Sequence, residues 1–81
     1  MTRIDILENG DVKATAEGYA LADGKVLVRM LCGVRGTPYI PPPEPATSAL
    51  RFSDGRVRVV QIWSGTRSRR GLGTAYEATL R

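Results

Sequence analysis

The stretch Ala22-Asp23-Gly24-Lys25-Val26-Leu27-Val28 recurs thirty-one positions later as Ser53-Asp54-Gly55-Arg56-Val57-Arg58-Val59. Each copy sets an Asp-Gly dipeptide before a β-branched run. Asn9-Gly10 before Asp11-Val12 is a looser third copy. Asn-Gly and Asp-Gly are strong hairpin signals, because a type I′ turn needs positive φ at both central residues and these residue types adopt it most readily. Three such turns in one short chain predict hairpins.

Outward from the turns, the residues alternate as strands do. Ile4 and Ile6 share one face of residues 2–8, opposite Arg3, Asp5 and Leu7. Val12, Ala14 and Ala16 face inward against Lys13, Thr15 and Glu17, and Gly18 is expected to bend or interrupt that strand. Val26, Val28, Met30 and Cys32 fall on one face of residues 25–32. Leu27 and Leu31 lie on the other face, which is therefore more apolar than a solvated face should be.

In residues 56–63 the phase is ambiguous. A bulge near Val59-Val60 would bring Val57, Val60 and Ile62 to one side. Without it, Gln61 and Trp63 face inward. Residues 64–73 read as a loop, and residues 74–81 as a last strand with Tyr76, Ala78 and Leu80 inward.

The fold expectation is all-β: a small antiparallel β-barrel or sandwich of about six to seven short strands, built from three tight-turn hairpins. Closure into a barrel removes exposed edges most economically. The 81 residues read as a single domain, 1–81, with residues 33–48 a proline-rich crossover loop within it. The only helical candidate is a turn around Glu44 to Leu50.

Composition narrows the chemistry. The chain has one cysteine, Cys32, and no histidine. An internal disulfide is impossible, a structural zinc site is disfavoured, and an imidazole base or triad is absent. Cys32 reads as a small buried hydrophobe beside Met30. Asp23 and Asp54 are explained by turn chemistry. The expectation is a protein that is not an enzyme and has neither cofactor nor metal. A core this small gains from oligomerisation, so a homo-oligomer is expected. No apolar run is long enough for a signal peptide or a membrane span, and the lone cysteine suits a reducing compartment, which together point to the cytoplasm.

Charge is uneven. Residues 1–34 carry four basic and five acidic side chains, whereas residues 35–81 carry eight arginines against three acids. The segment Ser64-Gly65-Thr66-Arg67-Ser68-Arg69-Arg70-Gly71-Leu72-Gly73 concentrates glycines, hydroxyls and three arginines. Glycine turns form anion-binding nests and guanidinium groups grip phosphate in bidentate fashion. Trp63 before the segment, or Tyr76 after it, would stack on a base.

The candidate ligand-binding set is therefore Trp63, Thr66, Arg67, Arg69, Arg70, Arg56 and Arg58, with nucleic acid or a nucleotide as partner. Lys25 and Arg29 would join Arg56 and Arg58 in one basic patch if the two echoed hairpins packed symmetrically. The alternatives are a solvated loop, a protein-interaction module such as a compact inhibitor or adaptor, or a homo-oligomeric structural subunit. Tyr39, Ile40, Pro41 and Pro42 sit in a polyproline stretch with two PxxP spacings and form the candidate protein-binding set.

Overall fold

A computed structural model describes residues 2–37, 39–41, 48–67 and 74–81; the side chains of Met30, Arg35, Thr66, Arg67 and Thr74 are outside that description. Six strands form one closed antiparallel barrel: β1 (Thr2–Glu8), β2 (Asp11–Ala20), β3 (Lys25–Gly33), β4 (Ser48–Phe52), β5 (Val57–Arg67) and β6 (Thr74–Leu80). Their order around the barrel is β1-β2-β3-β6-β5-β4. Two three-stranded meanders thus meet along two seams. Ile6 pairs with Leu50 across the β1–β4 seam, and Val26 pairs with Ala78 across the β3–β6 seam. The expected all-β barrel is what forms. Among the described residues no helix is long and apolar enough to cross a membrane. Of the expected helical turn, residues 44–47 lie outside the described residues, and Ser48–Leu50 belong to strand β4.

The interior is filled by Ile4, Ile6, Val28, Leu50 and Val60, all essentially inaccessible, with Ala14, Ala16 and Ala78 between them. A barrel this narrow needs small residues opposite large ones. Gly18 shows why. It lies in strand β2 without breaking it, and a Cβ there would sit 3.2 Å from Cγ2 of Ile4. Its role is to make room for Ile4, not to bend the strand.

Three register shifts decide which residues face this core. Between Ile6–Leu7 and Val12–Ala14, β2 advances one residue more than β1. Lys13 is the extra residue, and Val12 turns out to solvent; Leu7 is buried but is not a member of the central cluster. Between Arg29 and Cys32, β3 advances one more than β2. The phase of β3 flips, so Leu31 packs against the core and Cys32 is exposed, contrary to the expectation of a buried thiol.

The third shift lies between Val60 and Ile62, where β5 advances one more than β6. Val60 and Trp63 therefore both point inward, while Val57, Val59, Gln61 and Ile62 are exposed. Neither sequence alternative for this strand holds, because the bulge falls at Gln61.

The echoed turns differ in detail. Asn9 and Gly10 both have positive φ, as do Asp23 and Gly24, but in the third turn only Gly55 does. There, Gly55 N–H donates to the Phe52 carbonyl at 2.9 Å, and Arg56 N–H donates to the Asp54 carboxylate at 3.0 Å. This is a type I turn closed by a left-handed glycine. The echo joins β2 to β3 in one meander and β4 to β5 in the other, so it does not mark equivalent places in a duplicated unit.

Leu50→Ala should cost about 2–5 kcal/mol of unfolding free energy, since it opens a cavity where nothing can collapse. Val59→Thr, on the outer face of β5, should change stability by less than about 0.5 kcal/mol. Urea denaturation of both variants checks the assignment of inner and outer faces; equal effects would contradict it.

Candidate functional site

Strand pairing sorts the connections onto two ends of the barrel. Thr2 pairs with Gly18, Ile4 with Phe52 and Lys25 with Thr79, which gathers the Asp23-Gly24 turn, the Asp54-Gly55 turn and Arg81 at one end. Glu8 pairs with Ser48, Ala14 with Gly33 and Arg67 with Thr74, so the Asn9-Gly10 turn, the proline segment and the connection after Arg67 leave from the other. The arginines grouped in the sequence reading are thereby separated. Arg56 and Arg58 are at the first end. Arg67 lies in β5 at the second, where β5 continues four residues into the expected loop. Thr66 is also in β5. Arg69 and Arg70 lie outside the described residues.

At the first end a pocket of about 210 Å³ opens between the two Asp-Gly turns. Leu21, Val26, Phe52 and Leu80 give it an apolar floor, and Lys25, Arg56 and Arg58 line its rim. These are three of the four members of the basic patch anticipated from the echo. Arg29 is elsewhere, its guanidinium carbon 6.0 Å from the centroid of the Tyr19 ring.

Both rim arginines have partners. Arg56 Nε donates to Asp54 at 2.7 Å, and Arg58 Nη2 donates to the backbone oxygen of Arg81 at 2.6 Å. The backbone N–H of Arg56 keeps the Asp54 carboxyl below the usual range, and the Arg56 guanidinium adds to this. A guanidinium has five N–H donors, more than these bonds use among the described residues.

Beside this mouth, and sharing Phe52 with it, lies a second cavity of about 200 Å³ lined by Arg3, Asp5, Arg51, Phe52 and Ser53. Arg51 donates through Nε and Nη2 to one oxygen of Asp5, at 3.2 and 2.8 Å.

Trp63 is not at either end. The residue is 9% exposed inside the barrel, its ring edge-on to Tyr76 at 6.4 Å and 87°. Its indole N–H finds no acceptor among the described residues, as also holds for the Ser48 hydroxyl. Its place before the arginine segment suggests stacking; with Val60 inward, the Gln61 bulge is what lets Trp63 face inward as well.

The proline segment is anchored. Tyr39 packs against the core cluster and its hydroxyl donates to Glu8 at 2.9 Å. Pro41 is buried, Ile40 is 75% exposed, and Pro42 lies outside the described residues. Of this candidate set, then, Ile40 is the described member that a partner would meet first.

Phe52, Leu21, Arg3 and Arg51 were not singled out by sequence reasoning. For Arg51 and Phe52 the signal lay in the pairing of β1 with β4, which sets Arg51 opposite Asp5 and Phe52 opposite Ile4. Among the described residues no group of three His, Cys, Asp or Glu side chains could hold a metal ion. No family model, curated protein or solved structure matches the chain.

Burial, and then the hydrogen bond and charge of Glu8, push the Tyr39 phenol above its ordinary value of 10.0. The folded state therefore holds this proton more tightly than the unfolded chain does. Its stabilising effect is complete below pH 10 and is lost as pH rises above that value. Glu8→Gln should bring the ionisation of Tyr39 down toward the ordinary value and flatten the alkaline loss of stability. Spectrophotometric titration of the three tyrosines, read with urea melts across the alkaline range, checks both.

Proposed function

We propose that this chain is a small, non-enzymatic binding module for an anionic ligand, a nucleotide or nucleic acid. The observation that carries the reading is the mouth between the two Asp-Gly turns, where Lys25, Arg56 and Arg58 stand over Leu21, Val26, Phe52 and Leu80. Apolar surface with a few placed cations is what a ligand with a flat ring and a phosphate requires. Arginine predominates on the rim, and its planar fork matches phosphate geometry. Arg67 ends β5 at the opposite end, and with Arg69 and Arg70, which follow it in sequence, enters the reading as a second contact of the same charge.

An amide NMR titration with a nucleoside monophosphate tests this. Shifts confined to residues 20–26 and 52–58 are expected, and they should vanish in the Lys25→Ala/Arg56→Ala/Arg58→Ala variant. Shifts confined to residues 64–75 would move the site to the other end, and no shifts at millimolar ligand would overturn the reading.

A second reading rests on the outer face of β5. Val57, Val59 and Ile62 are 53%, 45% and 51% exposed along one strand. Such a row offers a face to a protein partner or a second copy of the chain. Sedimentation equilibrium should then show a concentration-dependent mass that Val59→Lys abolishes. A monomer at high micromolar concentration would remove the homo-oligomer.

A further inference from the structure

The mouth and the cavity beside it are not independent. Both are lined by Phe52, the last residue of β4, whose ring packs partly against the core. On one side of Phe52 stand Arg3 and Arg51; on the other stand Arg56, Arg58 and Lys25. The surface is thus cationic, then aromatic, then cationic. A mononucleotide has one phosphate group and would use one side only. A ligand that uses both sides must repeat its negative charge across a flat apolar unit.

We propose that this end of the barrel takes a single strand of nucleic acid, with one base against Phe52 and successive phosphates on the two cationic sides. The proposal rests on the anion-binding reading above and names the ligand class for the same site. Three features select a single strand. Stacking on an aromatic ring with cations tracking the backbone is how single strands are held without regard to sequence. Each cavity holds about 200 Å³, enough for one ring but not for a base pair, and duplex bases are in any case already stacked and paired. Four of the five cations are arginine, which suits phosphate better than the spaced carboxylates of an acidic peptide, where no planar ring would meet Phe52.

Asp5 and Asp54 are compatible with this arrangement. Each is paired with an arginine, Arg51 and Arg56 respectively, and so orients a guanidinium and limits the repulsion an incoming phosphate would meet.

The test is fluorescence anisotropy of a short labelled oligothymidine with the whole chain at low salt. Matched arms use oligouridine, a duplex of the same length, a nucleoside monophosphate and polyglutamate. The expected result is binding of either single strand in preference to the duplex. Phe52→Leu should weaken that binding about ten-fold through lost stacking. Arg3→Gln should lower the slope of log affinity against log salt by about 0.7, one phosphate contact. Because Phe52→Leu also touches the core, its melting curve is recorded alongside; Arg3 is exposed, so its variant tests the proposal free of that concern.

Binding of the monophosphate but not of the oligomers would overturn the proposal and leave the anion-binding reading standing. Binding of neither would overturn both. Equal affinity for duplex, or equal competition by polyglutamate, would overturn it. So would single-strand binding that ignores Phe52→Leu and Arg3→Gln but is lost in an Arg67→Gln/Arg69→Gln/Arg70→Gln variant.

Discussion

Everything in this molecule depends on closing six strands around a core only a few side chains wide. Ile6 beneath Leu50 on one seam and Val26 beside Ala78 on the other hold the two meanders together. Without those seams, each meander would expose an apolar face and two unpaired edges. The narrow interior explains the residue sizes: Gly18 yields to Ile4, and alanines stand at 14, 16 and 78. It also explains the bulges. A closed barrel must coil its strands more strongly than a flat sheet, and an extra residue on one strand supplies that local twist.

The bulges mark the boundary of what the sequence could tell. The turns were legible because Asn-Gly and Asp-Gly have few alternatives, and the valines and isoleucines that follow them have few places to go. Ile4 and Ile6 of β1, and the inward valines at the start of β3, could be read from simple alternation. Alternation cannot locate an added residue, since nothing local distinguishes a residue that slips the phase. Alternation therefore puts Cys32 inside and Leu31 outside, and the structure reverses both. Gln61 sits in a run, Val59-Val60-Gln61-Ile62-Trp63, in which both phases are apolar; the pairing with β6 chose one of them.

For the candidate site the legible part was charge, and the illegible part was which charges share a surface. Arg56 and Arg58 follow an Asp-Gly turn and could be matched with Lys25 after the echoed one. The echo, although not a duplication, brings both turns to the same end of the barrel, where Lys25, Arg56 and Arg58 do share a rim. Arg67, the described arginine after Trp63, belongs to the other end. What sequence proximity joined, strand direction separated. Phe52, which gives the mouth its aromatic wall, lay in a short run that looked like scaffold.

Closure together with the bulge at Gln61 puts Trp63 inside the barrel, away from the charged ends. Iodide quenching of the single tryptophan tests it directly. The account predicts blue-shifted emission that iodide barely quenches in the native protein, with ready quenching after unfolding in urea. Native emission at the wavelength of the unfolded chain, quenched as readily, would contradict it.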